Sequence, residues 1–178
     1  MISEDVRQRI LKIKAVIFDI DGVLTDGRIV LGNYGDELKF FDAQDGLGLV
    51  LLRRAGFKTA MVSSRKSRIN QKRARETDVT RLYQNVSDKR GGFDKLLRKF
   101  KIAADEACFV GDDLVDIPAL VKAGLAVAVQ NAAPAVKEIA HYVTEKEGGR
   151  GAAREISDLL LKTQGRWDAL VKPYTSQE

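Results

Sequence analysis

The sequence contains a single cysteine and no long apolar run. Cys108 cannot form a disulfide within the chain, and its place in the run ACFV indicates a buried structural thiol. No apolar run approaches the roughly 18–20 residues that a membrane-spanning helix needs. The N-terminal MISEDVRQRILKIK carries mixed charges and lacks the apolar core of a signal peptide. These absences favour a cytoplasmic location.

Acidic residues are missing from one segment of a chain that is basic overall. The 178 residues carry a formal net charge of +5, yet residues 46–75 hold nine lysines and arginines and no aspartate or glutamate. Such a surface can attract nucleic acid or an anionic small molecule, although a solvated helix face is the simpler interpretation. The sequence has no aromatic interleaving there and no zinc-finger or RNP pattern. We therefore expect neither nucleic acid nor a membrane as a partner.

Short apolar runs alternate with longer amphipathic stretches along most of the chain. The runs are typical of strands buried on both faces, and the stretches between them are typical of helices. The predicted strands are 15–20, 58–63, 81–84, 107–111, 125–129 and 141–144, and the predicted helices are 45–55, 66–77, 88–100, 114–123, 134–140 and 152–163. This order predicts an α/β domain with a doubly wound, mostly parallel, Rossmann-like sheet.

One segment interrupts this alternation. Residues 27–41, GRIVLGNYGDELKFF, contain two extended runs around GNYGD, which predicts a protruding β-hairpin. Residues 1–165 are predicted to form a single domain, because no linker, repeat or low-complexity run divides them. Residues 166–178 are predicted to form a polar, loosely ordered tail with Trp167 as an anchor.

Carboxylates crowd the end of the first predicted strand. AVIFDIDGVLTDG, residues 15–27, passes directly from apolar strand residues to Asp19 and Asp21. In open α/β sheets, ligands bind beyond the carboxyl ends of the strands, and residue alternation lets both aspartates point to the same side. Taken alone, this pair is equally consistent with turn formation and helix capping.

A second acidic cluster follows another predicted strand. In GDDLVD the strand ends at Gly111, and Asp112, Asp113 and Asp116 come next. If both strands are central and parallel, the two clusters converge at one edge of the sheet. Like charges at that range raise the proton affinity of the carboxylates unless a cation is present, and carboxylate oxygens suit Mg²⁺. The two clusters together predict a magnesium site, and they weaken the interpretation of these residues as turn formers.

Two further segments supply groups that can hold a phosphoryl oxygen. Ser63 and Ser64 follow the second strand, where a hydroxyl and backbone N–H groups can bind such an oxygen. One of the two serines is also expected to cap the next helix. Lys89 begins a helix, where a cation is poorly placed for the helix dipole. This position suggests that Lys89 faces a phosphate and the carboxylates, although a lone lysine there is more often structural.

Taken in order, these four segments resemble the motifs of the haloacid dehalogenase superfamily of phosphotransferases. The motifs are DIDGVLTD at 19–26, the Ser63 segment, Lys89, and GDDLVD at 111–116. The resemblance implies that Asp19 is the nucleophile on phosphorus and that Asp21 is the general acid and base. The chemistry agrees, since a carboxylate nucleophile divides hydrolysis into two easier steps and an alkoxide leaving group needs a proton.

The same resemblance assigns the groups around the reacting phosphorus. The implied ligands of Mg²⁺ are Asp19, the backbone carbonyl of Asp21, and Asp112. The groups that would hold the transferring phosphoryl group are Ser63 and Lys89. The remaining acids of the fourth motif, which would support the metal shell or the lysine, are Asp113 and Asp116.

A narrower resemblance is to the 3-deoxy-D-manno-octulosonate 8-phosphate phosphatases, small members of the superfamily without a cap domain. The segments that carry it are DGVLTDG, DAQDGLGL (42–49), LYQNVSDK (82–89), GDDLVDIPAL (111–120) and GGRGAARE (148–155). It implies hydrolysis of that phosphate through an aspartyl-phosphate, in lipopolysaccharide biosynthesis. It also implies a cytoplasmic homotetramer whose active sites are closed by the hairpin and the C-terminal segment of neighbouring subunits.

Residues outside the four motifs are candidates for holding the substrate. Arg150, in a glycine-rich loop, can clamp a carboxylate or phosphate with two hydrogen bonds, or it can be a solvated residue of a linker. The other predicted substrate contacts are Ser64, Arg65, Asp45 and Gly46. The second motif departs from the subfamily, because SSR stands where threonine-glycine-arginine is usual. The serine keeps the hydroxyl, but the departure leaves the choice of sugar open.

Several other functions stay open at the level of sequence. A phosphatase for a nine-carbon keto-acid sugar phosphate would share most of these motifs. Removal of 3′-phosphates from nucleic acid would give the basic segment a role. A receiver-like domain also combines clustered aspartates, a hydroxyl and a lysine, but the acid and base Asp21 argues against it. A scaffold with an inactive site is disfavoured, because every catalytic residue type is present.

Overall fold

A six-stranded parallel sheet forms the centre of the fold. The computed structural model describes residues 2–175. The strands are β1 (Ala15–Asp19), β2 (Val30–Leu31), β3 (Glu37–Leu38), β4 (Lys58–Val62), β5 (Arg81–Tyr83), β6 (Ala107–Gly111), β7 (Leu125–Ala128) and β8 (Tyr142–Val143). The sheet order is β5-β4-β1-β6-β7-β8, with every neighbouring pair parallel, and β2 and β3 form a separate hairpin. The predicted α/β class and parallel sheet are confirmed.

Helices cover both faces of this sheet. They are α1 (Glu4–Lys12), α2 (Ala43–Arg54), α3 (Arg68–Glu76), α4 (Lys89–Phe100), α5 (Ile117–Leu120), α6 (Pro134–Ile139), α7 (Ala152–Thr163) and α8 (Trp167–Thr175). Right-handed crossovers between parallel strands place α2 and α3 on one face and α4, α5 and α6 on the other. The long helix α7 packs on α2 and also contacts α1. The predicted helix 114–123 is shorter in the structure, where a 3₁₀ turn over Leu114–Asp116 precedes α5.

The core explains why the central strands are apolar on both faces. Every residue of β1 is buried, because β4 and β6 flank this strand and helices cover it above and below. On one face, Phe93 of α4 meets Phe109 of β6 edge to face, with ring centroids 5.9 Å apart. Burial of each large apolar side chain contributes about 1.5–3 kcal/mol. Parallel pairing, in which Phe18 lies opposite Val110, holds the carboxyl ends of β1 and β6 side by side.

The direction of the chain across the sheet reverses beside β1. From β1 the chain proceeds to β4 and β5, and α4 then returns it to β6, from which it continues to β7 and β8. The carboxyl ends of β1 and β6 therefore form a topological switch point, where open α/β sheets bind ligands. Asp19 is the last residue of β1, and Asp112 directly follows β6. The predicted convergence of the two acidic clusters is confirmed.

The predicted hairpin is present, with short strands. Its strands pair antiparallel, with Val30 opposite Leu38, and the N–H of Gly32 donates to the carbonyl of Asp36 across the turn. A further antiparallel bridge joins Thr25 to Phe41 and closes the base of the hairpin. Within residues 2–175, the hairpin is the insertion between β1 and α2, and no separate cap domain follows it.

Both ends of the chain differ from the sequence prediction. The sequence analysis did not predict α1, which buries Val6 and Ile10 and is capped by Ser3. The expectation of a loosely ordered tail is wrong for residues 167–175, which form α8 against α7. The ammonium of Lys162 lies 4.7 Å from the ring centroid of Trp167, so the predicted anchor is in place. The last three residues of the predicted tail, 176–178, lie outside the described residues.

The structure also bears on the single cysteine and on the lack of a long apolar run. Cys108 is buried in β6, where its surroundings raise the pKa of the thiol above the usual range. Across residues 2–175, no helix combines the length and the hydrophobicity that crossing a membrane requires. The predicted structural role of the cysteine is therefore supported.

Candidate active site

A buried lysine joins two carboxylates at the switch point. The Nζ of Lys89 contacts Oδ1 of Asp19 and lies 3.0 Å from Oδ1 of Asp116. All three residues are buried, with exposed fractions of 6% or less. The first turn of α4 carries Lys89 here, and Asp88 caps that turn by accepting the N–H of Gly91. Because buried charges require partners, this network fixes Lys89 between β1 and the loop after β6, as the sequence predicted.

Asp112 completes an acidic cluster of a size that suits a metal ion. One carboxylate oxygen each of Asp19, Asp112 and Asp116 lies within 4.8 Å of the other two. Asp112 can approach because Gly22 has no side chain, and a Cβ at Gly22 would lie 2.0 Å from Oδ2 of Asp112. Converging carboxylate oxygens are the ligands that Mg²⁺ prefers. The residues at this site therefore fit the predicted metal.

Burial and repulsion raise the proton affinity of this cluster. Burial, followed by the charge of Asp116, raises the pKa of Asp19 to about 7 in spite of Lys89. Burial, followed by the charges of Asp19 and Asp116, raises the pKa of Asp112 to about 8. Burial opposes the charge of Lys89, but the two carboxylates outweigh it and raise the pKa of the ammonium. A divalent cation would relieve the repulsion that these shifts report.

The remaining acids of the fourth motif have separate roles. Oδ2 of Asp116 accepts the backbone N–H groups of Asp112, at 3.1 Å, and Asp113, at 3.4 Å, while Oδ1 faces Lys89. Asp116 thus supports both the lysine and the loop that carries Asp112. Asp113 is exposed, and its carboxylate accepts the N–H of Leu114 at 2.7 Å. Of the two predicted supporting residues, Asp116 contacts Lys89 and Asp113 instead caps a 3₁₀ turn.

Asp21 lies beside this cluster and has partners of its own. Its Oδ1 lies 2.5 Å from Nζ of Lys39, and its Oδ2 accepts the hydroxyl of Ser63 at 3.4 Å. The carboxylate of Asp21 is not one of the three that converge on the metal position. The metal contact predicted for Asp21 is through its backbone carbonyl, and it stays a prediction.

The loop after β4 holds Ser63 firmly. Ser63 is 1% exposed, and its hydroxyl oxygen accepts the N–H of Arg65 at 3.0 Å. Ser64 and Arg65 are exposed, and the hydroxyl of Ser64 donates to the carbonyl of Val86 at 3.1 Å. The expectation that Ser63 or Ser64 caps the next helix is wrong, because Ser67 caps α3. The hydroxyl of Ser63 therefore points toward Asp21 instead of toward a helix.

The glycine-rich segment near the C-terminus lies directly against the loop that carries Asp21. A Cβ at Gly148 would lie 1.7 Å from the carbonyl oxygen of Gly22, and the N–H of Gly149 donates to the carbonyl of Val23 at 2.9 Å. Arg150 follows with a 65% exposed side chain, 3.5 Å from Glu147. The segment thus brings Arg150 to the same face of the molecule, and its predicted contact with substrate stays a prediction.

The structure does not support the predicted substrate contacts of Asp45 and Gly46. Asp45 is 2% exposed, and its two oxygens accept the N–H groups of Gly151, at 3.2 Å, and Arg154, at 2.8 Å. Gly46 faces Arg73, whose Nη2 would lie 2.5 Å from a Cβ at that position. Asp45 therefore fixes the beginning of α7, which follows the loop of Arg150. Sequence spacing could not reveal this contact between distant segments.

Sequence reasoning missed two residues that shape the site. Gly22 makes room for Asp112, and its place in the DG pair after a strand was the available signal. Lys39 reaches Asp21 from the hairpin, and the signal was a lysine between Leu38 and Phe40 in an extended run. Alternation along a strand turns such a lysine to the face opposite its apolar neighbours.

The known proteins that resemble this chain in sequence and fold are phosphatases. The model of the haloacid dehalogenase-like hydrolases matches residues 53–156. The 3-deoxy-D-manno-octulosonate 8-phosphate phosphatase KdsC of Escherichia coli K12 is 43% identical over 167 residues, covering 94% of this chain and 89% of the relative.

Solved structures agree over almost the whole chain. The probable YrbI family phosphatase of Pseudomonas syringae has a TM-score of 0.96 and 41% identity, covering 99% of this chain and 100% of the other. The 3-deoxy-D-manno-octulosonate 8-phosphate phosphatase of Moraxella catarrhalis, solved with a magnesium ion, a phosphate ion and a KDO molecule, has a TM-score of 0.94 and 34% identity. It covers 96% of this chain and 98% of the other.

Proposed function

Because this chain belongs to the haloacid dehalogenase-like hydrolases, we propose that it is a magnesium-dependent phosphatase of 3-deoxy-D-manno-octulosonate 8-phosphate. The observation that carries the proposal is the junction of Asp19, Lys89 and Asp112 at the switch point, with Asp21 beside it. Relatives that act on this sugar phosphate match nearly the entire chain, which supports the choice of substrate.

Asp19 is the proposed nucleophile. One of its oxygens bonds to phosphorus while the bond from phosphorus to the sugar oxygen breaks, which gives an aspartyl-phosphate. Lys89 touches Asp19 and carries a positive charge, so it reduces the repulsion between the carboxylate and the approaching phosphate. Asp116 holds Lys89 in that position. The covalent step divides a difficult hydrolysis into two easier ones.

Asp21 and Ser63 act on the other side of the phosphorus. Asp21 gives a proton to the leaving sugar oxygen, and it then takes a proton from the water that attacks the aspartyl-phosphate. The hydroxyl of Ser63, which donates to Asp21 at 3.4 Å, is proposed to hold a phosphoryl oxygen. The groups that would hold Mg²⁺ are Asp19, Asp112 and the backbone carbonyl of Asp21. The bound ion would supply positive charge that stabilises the transferring phosphoryl group.

Exposed side chains around the site are proposed to hold the rest of the sugar acid. Ser64, Arg65 and Arg150 all reach solvent at the carboxyl end of the sheet or on the loop that packs there. A guanidinium can bind a carboxylate through two parallel hydrogen bonds, which suits the acid group of this substrate. Arg150, on the loop fixed by Asp45 and Gly149, is the proposed clamp.

The proposal extends to assembly and location. The hairpin exposes the apolar side chains of Leu31, Tyr34, Leu38 and Phe40, with exposed fractions from 55% to 99%. Such a surface favours burial against another subunit. We propose a homotetramer in which the hairpin and C-terminal segment of neighbours close each site, in the cytoplasm, as a step of lipopolysaccharide biosynthesis.

Phosphate release from a small panel of esters tests this function. The panel holds the eight-carbon 8-phosphate, a nine-carbon keto-acid sugar phosphate, hexose phosphates and a 3′-phosphorylated oligonucleotide, each with Mg²⁺. We expect strong preference for the eight-carbon ester and loss of turnover in Asp19→Asn, because the two side chains are nearly isosteric and only the nucleophile is lost. Asp105→Asn, an exposed residue of the turn before β6 at the opposite edge of the sheet, is the matched control.

Each alternative result leads to a different conclusion. Preference for the nine-carbon ester would keep the mechanism and change the substrate. Preference for the oligonucleotide would instead assign a function to the basic segment 46–75. Retained turnover in Asp19→Asn would refute the nucleophile, and a stable phosphoprotein without turnover would favour the receiver-like function.

A further inference from the structure

Lys39 is a buried charge on a hairpin whose neighbouring residues are exposed. The side chain of Lys39 is 1% exposed, whereas Leu38 and Phe40 on either side are 55% and 57% exposed. Alternation along the extended chain turns the two apolar side chains outward and the lysine inward. Removing an ammonium from water costs several kcal/mol unless it is paired. The partners of Lys39 therefore indicate its role.

Those partners are two carboxylates, which lie at unequal distances from Nζ of Lys39. Nζ of Lys39 lies 2.5 Å from Oδ1 of Asp21 and 3.7 Å from Oε1 of Glu37. The second oxygen of Asp21, Oδ2, lies 3.4 Å from the hydroxyl of Ser63. The two oxygens of Asp21 thus differ, because one faces an ammonium and the other faces the loop proposed to hold the phosphoryl group.

We propose that Lys39 is a positioning residue that selects which oxygen of Asp21 exchanges the proton. An ammonium can only donate, so Oδ1 is kept as an acceptor. The hydrogen of the protonated carboxyl then lies on Oδ2, the oxygen on the side of Ser63. This inference deepens the proposed function and rests on it, since it takes Asp21 as the acid and base.

The proton balance leaves Lys39 unchanged through the reaction. In the first step the sugar oxygen leaves phosphorus and takes the hydrogen from Oδ2 of Asp21, while Asp19 bonds to phosphorus. In the second step water gives a proton to Oδ2 as its oxygen bonds to phosphorus, and the bond from phosphorus to Asp19 breaks. Lys39 keeps its protons in both steps, so it orients Asp21 without exchanging a proton itself.

The base of the hairpin fixes the lysine relative to Asp21. The bridge between Thr25 and Phe41 ties the residue two positions after Lys39 to the loop that carries Asp21. The hydroxyl oxygen of Thr25 also accepts the N–H of Gly22 at 3.3 Å, next to Asp21 in the chain. Groups that transfer protons must be held to within about 0.5 Å. The hairpin therefore has a catalytic purpose within a single chain.

Esters with different leaving groups test this role directly. A sugar alkoxide needs a proton to leave, whereas nitrophenolate leaves without one. For Lys39→Met we expect kcat/KM, which reports only the steps up to the aspartyl-phosphate, to fall about 10- to 100-fold on the sugar-acid phosphate without a rise in KM, a part of the usual contribution of general acid catalysis. On nitrophenyl phosphate we expect kcat/KM to change by less than about 3-fold, because hydrolysis of the aspartyl-phosphate common to both esters does not enter this ratio.

The matched control is Lys58→Met. Lys58 is an exposed lysine at the opposite end of β4 from Ser63, so both kinetic constants should stay at wild-type values on both esters. In the Asp21→Asn background, Lys39→Met should cause no further loss on the sugar ester, because its effect passes through Asp21. If Lys39→Met does not fold, as judged by its melting temperature, Lys39→Gln gives the same comparison.

Three outcomes would overturn the inference. Equal loss on both esters would make Lys39 a structural residue, and no loss on either would leave it without a role. A rise in KM alone would make it a substrate contact. Failure of the proposed function would give a different result, since wild-type protein would then prefer another ester or Asp19→Asn would retain turnover. If another alkyl ester is preferred, that ester can replace the sugar phosphate in the comparison of wild type with Lys39→Met.

Discussion

Gly22 leaves the space that the carboxylate of Asp112 occupies at the site. Its φ of +101° is a conformation that favours glycine, and a Cβ there would overlap the carboxylate of Asp112. Gly56 has a similar φ of +90°, yet nothing lies within 4 Å of a Cβ at that position. Substitutions at these two glycines therefore distinguish the effect of backbone strain from the effect of contact with Asp112.

This difference gives a prediction about metal binding. We expect Gly22→Ala and Gly56→Ala each to lower the free energy of unfolding by about 1–3 kcal/mol, because alanine is strained in this conformation. Only Gly22→Ala should weaken Mg²⁺ binding, measured by calorimetric titration, because it displaces Asp112. Equal Mg²⁺ affinity in both variants would show that Asp112 does not hold the ion.

The raised pKa values of Asp19 and Asp112 predict how stability depends on pH. A carboxyl whose pKa is higher in the folded state stabilises the protein most below its unfolded pKa, and this contribution is lost as pH rises through the folded value. Without metal, we expect the melting temperature to fall between about pH 4 and pH 8, as Asp19 and Asp112 ionise with pKa values of about 7 and 8.

Mg²⁺ should oppose the fall in melting temperature as pH rises. Its binding requires ionised carboxylates, so the rise in melting temperature on adding Mg²⁺ should be larger at pH 8 than at pH 6. Thermal unfolding with and without a chelator measures both curves. In Asp112→Asn the dependence on pH and on Mg²⁺ should both shrink, and an unchanged pair of curves would contradict the assignment.

Among the elements, the attachment of the edge strand β8 to β7 depends on the ionisation of His141. The backbone N–H of Ala126 donates to Nδ1 of His141 at 2.9 Å, and the N–H of His141 donates to the carbonyl of Ala126 at 2.9 Å. Burial, followed by the charge of Arg9, lowers the pKa of His141, although Asp5 opposes this. The imidazole must be neutral at Nδ1 to accept the hydrogen bond from β7.

Acidification should therefore loosen β8 before the rest of the sheet. A base whose pKa is lowered by folding stabilises the protein above its unfolded pKa, and this contribution is lost as pH falls through the folded value. We expect hydrogen exchange at the amide of Ala126, corrected for the slower intrinsic exchange of amides at lower pH, to become faster as the imidazole becomes protonated. His141 is the single histidine of the sequence, so its NMR titration can be followed directly. In His141→Ala the exchange rate should lose this step.

Several basic residues of segment 46–75 support neighbouring elements. Arg53 donates to the carbonyl of Asp78 at 2.9 Å, and Arg73 donates to the carbonyl of Asp42 at 2.6 Å while lying over the ring of Phe41. These contacts join α2, α3 and the end of the hairpin. They favour a structural explanation for part of the charge, in line with the simpler interpretation of the sequence.

For the whole molecule, the proposed tetramer depends on the apolar face of the hairpin. Leu31 is 68% exposed, so Leu31→Asp should leave the fold and melting behaviour of a single chain nearly unchanged. It should convert the tetramer to smaller species in sedimentation and lower turnover, because a charge resists burial in an interface. Val121→Asp, at a 69% exposed position directly after α5, is the matched control outside the hairpin. A tetramer that persists in Leu31→Asp would refute this interface.

The sequence alone determined the layered fold and the four motifs. Apolar runs on both faces predicted the central strands to within one or two residues, because helices bury a parallel strand from both sides. Asp19 and Asp112 could be placed together because the carboxyl ends of neighbouring parallel strands meet at one edge, and Lys89 was singled out by its position at the start of a helix. These inferences need only local periodicity and the order of elements, both of which are present in a linear pattern.

The tertiary structure alone decided the contacts between segments far apart in the chain. The nine-residue helices α1 and α8 depend on packing against the core, because isolated helices of this length are only marginally stable. Asp45 fixes α7 instead of substrate, and Gly148 fits against the Asp21 loop, because those partners lie about 100 residues or more away. The pairing of Lys39 with Asp21 likewise exists only once the hairpin folds back, since burial of the ammonium is favourable only beside that carboxylate.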